Sequence, residues 1–234
     1  MKCLFVNRIM PFAVFSLFLL MVFSANAAME ATGNIAPLQK GENVLAASAH
    51  NDSPGSSDLT LIIQLTADND ILIDEGSPIK VIQPLENIPS DADPTGWIKL
   101  NFNDSSWDDG EYGVGYGDGD DNTVIGDGNH ATVYTRARFE ADPATIGTLT
   151  LGVDYDDAAV IWINGVEVAR TPGTDIADKP GFDAWSDTGS GQSHEASKTD
   201  PPTYEMVEIQ FQLSTAVEPA GKLTTSWGKI KAKY

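Results

Sequence analysis

The densest set of hard-oxygen groups in the chain is the run Gly117-Asp-Gly-Asp-Asp-Asn-Thr-Val-Ile-Gly-Asp-Gly128. Its Asp118, Asp120, Asp121, Asn122 and Asp127 set carboxylates and an amide between glycines. A calcium ion asks for that chemistry, with six to eight oxygens at flexible geometry. The run is not an EF-hand: counted from Asp118, its sixth position is Thr123 rather than Gly and its twelfth is Asn129 rather than Glu. The competing reading is a solvated acidic turn. Asp154, Asp156 and Asp157 form a second acidic group, suited to pairing with a cation or with Arg136 and Arg138, or to capping the end of a strand.

Other chemistries find little support. A glycosidase needs two carboxylates flanking a cleft at a defined separation, not a cluster on one turn. The histidines His50, His130 and His194 stand in unrelated contexts, and no Gly-x-Ser-x-Gly elbow is present. The single cysteine, Cys3, lies in a leader-like segment, so no thiolate or disulfide is expected beyond it. The expectation is a chain without catalytic apparatus. Aromatic faces beside carboxylates and amides can hold sugars, although most tryptophans of a β-sandwich are packed inside. Trp162 and Trp185 are the two expected on or near a surface, and Tyr116, within the Gly-rich stretch, joins them as a candidate ligand contact.

The elements that must position these residues follow from the apolar pattern. Lys2 and Arg8, the apolar run Ile9 to Phe23 and then Ala25-Asn-Ala27 read as a signal peptide over residues 1–27, which implies an exported protein. The formal net charge is −20, and loss of Lys2 and Arg8 takes it two units lower, to −22; nucleic acid and anionic lipid are therefore poor partners. Residues 28–66 contain two apolar-alternating stretches, 43–50 and 58–65, which read as a hairpin. In the second, Leu59, Leu61, Ile63 and Leu65 share one face and Asp58, Thr60 and Gln64 the other.

Short strands follow at 71–73, 79–82 and 131–139, with a polar loop from 108 to 128. Leu149, Leu151, Val153 and Tyr155 alternate with polar residues, and a run through Val160 to Ile163 ends in Asn164-Gly165, the signature of a two-residue type I′ turn. That turn predicts Ile163 opposite Val166, Trp162 opposite Glu167 and Ile161 opposite Val168, with Trp162 off the main core face. Residues 171–203 read as a long excursion anchored by Phe182 and Trp185. Val207, Ile209, Phe211 and Leu213 form one face of a last strand, and residues 214–234 form a basic tail. Without an ordinary amphipathic helix, the pattern predicts an all-β, two-sheet antiparallel sandwich over residues 67–213.

Several phrases, in order, carry a family likeness: Phe102-Asn-Asp-Ser-Ser-Trp107, Gly113-Val-Gly-Tyr-Gly-Asp-Gly119, Thr135-Arg-Ala-Arg-Phe139, and Asp154-Tyr-Asp-Asp157 leading through Val160-Ile-Trp-Ile-Asn-Gly165 to Glu167-Val-Ala-Arg170. Together the chain resembles a galactose-binding-like jelly-roll module of bacterial secreted and surface proteins. The resemblance implies a jelly roll, a non-catalytic recognition or adhesion role with a glycan or cell-surface polymer as partner, and a structural calcium ion in some relatives. The alternative is a structural spacer or remnant of a larger surface protein, stabilised by calcium or self-association. The phrases Gly41-Glu-Asn-Val-Leu-Ala46 and His50-Asn-Asp-Ser-Pro54 resemble the family's ending, yet here they come first. Residues 34–66 are therefore expected to close the sandwich in cis, as in a circular permutation; the alternatives are a stump, or a strand-swapped dimer in place of a monomer.

Overall fold

Strands with one apolar face must lay that face on another sheet, and here two sheets do so. The computed structural model describes residues 28–117, 119, 121–126, 129–172, 179–186 and 194–212. Residues 1–27 and the basic tail lie outside the described residues. The strands are β1 (Glu30–Ala31), β2 (Gly41–His50), β3 (Leu59–Ala67), β4 (Asp70–Ile73), β5 (Pro78–Ile82), β6 (Asp108–Glu111), β7 (Val114–Tyr116), β8 (Thr123–Val124), β9 (Thr132–Ala141), β10 (Leu149–Asp156), β11 (Ala158–Ile163), β12 (Val166–Arg170) and β13 (Glu205–Ile209). One sheet runs β1-β12-β11-β2-β9-β5-β6 and the other β13-β10-β3-β7-β8, with β4 also on β3. All pairs are antiparallel except β7 with β8. The fold is an all-β sandwich, consistent with a jelly roll.

The expected hairpin of residues 43–65 is corrected. β2 lies between β11 and β9 in one sheet, whereas β3 lies between β10 and β7 in the other. The intervening residues cross from sheet to sheet. The physical reason is burial: Leu59, Leu61, Ile63 and Leu65 need an apolar surface facing them, and β2 supplies Leu45, Ala47 and Ala49 across the core. Side by side, the two strands would point their apolar faces the same way and still need covering. Residues 41–67 thus give each sheet an interior strand of the same sandwich.

The Asn164-Gly165 turn forms as its sequence predicts, both residues adopting positive φ (48° and 91°). Ile163 faces Val166 and Trp162 faces Glu167, but a bulge then sets Ile161 opposite Ala169 instead of Val168. Asn164 also locks the neighbouring strand. Its Oδ1 accepts from the Val44 N–H (2.9 Å), and its Nδ2 donates to the Pro37 carbonyl (2.9 Å) and to Asn43 Oδ1 (2.8 Å).

A second, smaller core covers the outer face of the seven-stranded sheet. Trp97, in the short 3-10 turn Gly96–Ile98, stacks on Tyr134 at 4.2 Å and meets Trp162 edge-on at 5.6 Å, and Trp107 packs beside them. Trp162 is therefore off the main core face, as its register demands, yet only 2% exposed. Under this layer lies Arg136, fully buried, whose Nε donates to Asp104 Oδ2 (2.7 Å) and whose Nη1 donates to the Trp97 and Lys99 carbonyls. Arg138 reaches the same carboxylate at 3.3 Å. Both arginines thus serve Asp104, not the Asp154–Asp157 group. Burial works against the Asp104 charge, but the two guanidinium groups outweigh it and hold the carboxyl below its usual range. Burial lowers Arg136 as well, from a starting point so high that it stays charged.

His50, at the end of β2, is fully buried. Its Nδ1 donates to the Ala184 carbonyl (2.7 Å), so in the neutral ring Nε2 accepts from the Ser48 hydroxyl (2.7 Å). Burial pushes its pKa down to about 4; the Ala184 bond opposes this, and nearby Arg170 adds to it.

Two outcomes follow. Arg136→Met leaves the buried Asp104 only its longer contact with Arg138, so the substitution is expected to cost about 3 kcal/mol, the low end for a broken buried pair. In a chain of this size that lowers Tm by on the order of 10 °C, readable by calorimetry. For His50 the unfolded chain takes its proton near pH 6.5 and the folded chain only near pH 4. Stability is therefore present above that window and lost as pH falls through it. His50→Gln is expected to remove about 2 kcal/mol of the loss between pH 6.5 and 5 in urea titrations.

Candidate functional site

The strand alternation that fills the core also fixes what faces outward. β3 and β10 pair from Leu149 opposite Ala67 to Asp156 opposite Thr60. With Leu59, Leu61 and Leu65 inward, Asp58, Thr60 and Ile62 point out; with Leu151, Val153 and Tyr155 inward, Asp154 and Asp156 point out beside them. Next to β3, β7 contributes Gly115 opposite Thr60. A Cβ at Gly115 would run into the Leu59 carbonyl and the Asp121 side chain, so glycine is what lets Asp121 lie flat on the sheet. The sequence expected a polar loop over 108–128; β6, β7 and β8 arise within it because glycines hide the period-two signal.

Carboxylate oxygens of Asp58, Asp156 and Glu195 all lie within 4.8 Å of one another. Asp156 is buried and Asp58 half-buried, while Glu195 is exposed. Burial, then the adjacent Asp157, then Asp58 and Glu195, push the Asp156 carboxyl well above the usual carboxylate range. Asp157 Oδ2 accepts from the Asp52 N–H (2.8 Å). Thr60, 5% exposed, keeps its hydroxyl oxygen buried without a hydrogen-bond partner.

The segment after residue 193 closes over this face. Asp154 accepts from both the Ser197 N–H (2.8 Å) and the Ser197 hydroxyl. The Thr203 N–H donates back to Ser197 Oγ (2.8 Å), and Thr199 Oγ bonds Thr203 Oγ (3.0 Å). His194 stacks on Tyr155 (3.9 Å), donates from Nδ1 to the Tyr155 carbonyl (2.8 Å) and faces Glu205 at 3.1 Å. Lys198 Nζ stands 3.8 Å from Asp58.

Between this segment and β7 lies a cavity of about 340 Å³, floored by Thr60, Ile62 and Gly113 and walled by Asp121, Asn122, Glu75 and Lys198 to Asp200. It falls at the low end of ligand pockets, roughly 300–1,000 Å³. A larger hollow of about 580 Å³ runs along β1 and β12, but two of its three charged lining residues, Glu167 and Arg170, bond each other at 2.8 Å, and it borders residues 173–178, outside the described set.

Of the residues singled out from sequence, Asp121 and Asn122 line the cavity; Asp118, Asp120 and Asp127 lie outside the described residues. Two of the aromatic candidates, Trp162 and Tyr116, are buried. Trp162 is packed in the second core, and Tyr116, 7% exposed, donates its hydroxyl to the Ser56 carbonyl (3.2 Å) and accepts from Asn51 Nδ2 (2.9 Å). Trp185 is half-buried, next to the Ala184 carbonyl that holds His50. Sequence reasoning missed Asp58 and Glu195. The available signal was that antiparallel pairing of β3 with β10 brings the polar start of one strand to the acidic end of the other.

No family model, curated protein or solved structure matches this chain.

A buried hydroxyl without a partner destabilises its fold by about 1–3 kcal/mol. Thr60→Val keeps the shape and, with chelator present, is expected to leave the protein as stable or more stable by ~1 kcal/mol in urea denaturation.

Proposed function

We propose that this is an exported, non-catalytic recognition module of galactose-binding-like type, whose groove on the outer face of the six-stranded sheet takes a polyhydroxylated ligand, a glycan or cell-surface polymer. The observation that carries this reading is the groove's lining. Thr199 offers a hydroxyl, Asn122 an amide, Asp121, Glu75 and Asp200 acceptors, Lys198 a donor, and Ile62 one apolar floor. Alternating donors and acceptors over a small apolar patch suit a sugar ring. The leader-like segment 1–27 supports export, and a net charge of −20 speaks against nucleic acid as the partner.

Chemistry on the sugar is disfavoured by the carboxylate geometry. Glycosidase carboxyl groups flank the scissile bond, about 5–5.5 Å or 6.5–9.5 Å apart. The clustered carboxylates Asp58, Asp156 and Glu195 approach within 4.8 Å of one another, closer than either separation. Burial of Trp97, Trp107 and Trp162, at 0%, 5% and 2% exposure, favours a second reading: a structural spacer with no small ligand.

A glycan array probed with the full chain separates the two. Recognition predicts binding to a defined glycan set, lost at least tenfold in Ile62→Trp, which fills the groove floor from the half-buried outer face. Absence of binding to every glycan, or binding unaffected by Ile62→Trp, removes the groove reading and leaves the spacer.

A further inference from the structure

We propose that Asp58, Asp156 and Glu195, with the hydroxyl of Thr60, bind a calcium-class divalent cation that clasps the 194–200 segment onto the six-stranded sheet. The inference does not rest on the glycan reading: Thr60 also lines the groove, but the three carboxylates do not, and the ion needs no sugar.

Three observations carry it. The first is spacing: the three carboxylate oxygens lie within 4.8 Å of one another. Two oxygens both bonded to calcium at 2.3–2.6 Å can be at most about 5 Å apart, so small side-chain rotations suffice to bring all three onto one ion. The second is Thr60. Its oxygen is buried and lacks a partner, and Thr60 stands on the same sheet face as the cluster, directly across the ladder from Asp156 and two residues beyond Asp58. A hard cation is a ligand that a neutral hydroxyl oxygen and carboxylates share. The third is charge. Three carboxylates from distant parts of the chain converge here, and Lys198, the described cation beside them, stands 3.8 Å from Asp58 with its side chain 55% exposed. An exposed ammonium at that distance holds the segment only weakly.

The oxygen-only ligand set selects calcium or magnesium over the transition metals. The spread of the oxygens favours the larger ion. Neighbouring donors orient the set: Asp154 holds Ser197 in the same segment as Glu195, and Asp157 is held by the Asp52 N–H. This site is distinct from the calcium ligands expected over residues 118–127. Its consequence is mechanical, because Lys198, Thr199 and Asp200, one wall of the groove, belong to the clasped segment.

The test is thermal unfolding of the full chain, stripped with chelator and then given 10 mM CaCl2, 10 mM MgCl2 or NaCl of matched ionic strength. A Kd in the range of extracellular calcium modules, about 0.1–1 mM, predicts a rise in Tm of roughly 3–10 °C with calcium and a smaller one with magnesium. The exposed Glu195→Gln keeps the fold and is expected to abolish most of the calcium shift, as is Asp58→Asn; circular dichroism verifies that both remain folded. The proposal is overturned by the absence of a calcium shift, by an equal shift with matched NaCl, or by a shift that persists in both variants. A shift abolished instead by Asp118→Asn with Asp120→Asn would move the ion to the glycine-rich run and equally overturn it.

Discussion

The pairing of β3 with β10 is the constraint on which the rest depends. Along this ladder every second residue is apolar, and those residues, from Leu59 to Leu65 and from Leu149 to Tyr155, fill the space between the sheets. Burying each such side chain is worth about 1.5–3 kcal/mol, so the register cannot slip by one without turning the whole set to water. The same register then leaves no choice about the opposite face. Asp58, Thr60, Asp154 and Asp156 must emerge together, and what stabilises the core also gathers the carboxylates.

Gathering like charges costs free energy, and the surroundings share it out unevenly. Asp154 and Asp157 are held by N–H donors, whereas Asp156 is buried among carboxylates and holds its proton unusually tightly. The contrast with the other sheet is instructive. There a buried Asp104 meets two arginines and is sealed under Trp97 and Trp107. One outer face is a finished, internally neutralised core, while the other keeps an acidic cluster beside an open groove.

Much of this was legible in the sequence, and what was not has physical causes. Leu59 to Leu65, Leu149 to Tyr155 and the Asn164-Gly165 turn follow local rules of alternation and positive φ, and the structure keeps them. The partner of a strand is not local: nothing in residues 43–65 distinguishes a hairpin from a crossing between sheets, and only burial against Leu45 and Ala47 decides it. Trp162 was correctly excluded from the main core, but the layer that covers it comes from residues 97–107, far away in the chain. Asp121 and Asn122 stand out in the sequence as candidate calcium ligands, yet their place beside Thr60 depends on Gly115, whose missing side chain carries no periodic signal. Asp58, Asp156 and Glu195 meet only after both sheets form.

The central claim is that the outer face of the β3–β10 ladder is the ligand-bearing surface of this sandwich. Its most direct test is an amide chemical-shift titration of the full chain with calcium, followed by any glycan retained on the array. Calcium is expected to perturb the amides of Asp58, Thr60, Asp156 and residues 194–200 first, with glycan shifts adjoining them at Asn122 and Thr199. Shifts confined to the β1–β12 hollow, or scattered over the acidic surface without saturation, would contradict it.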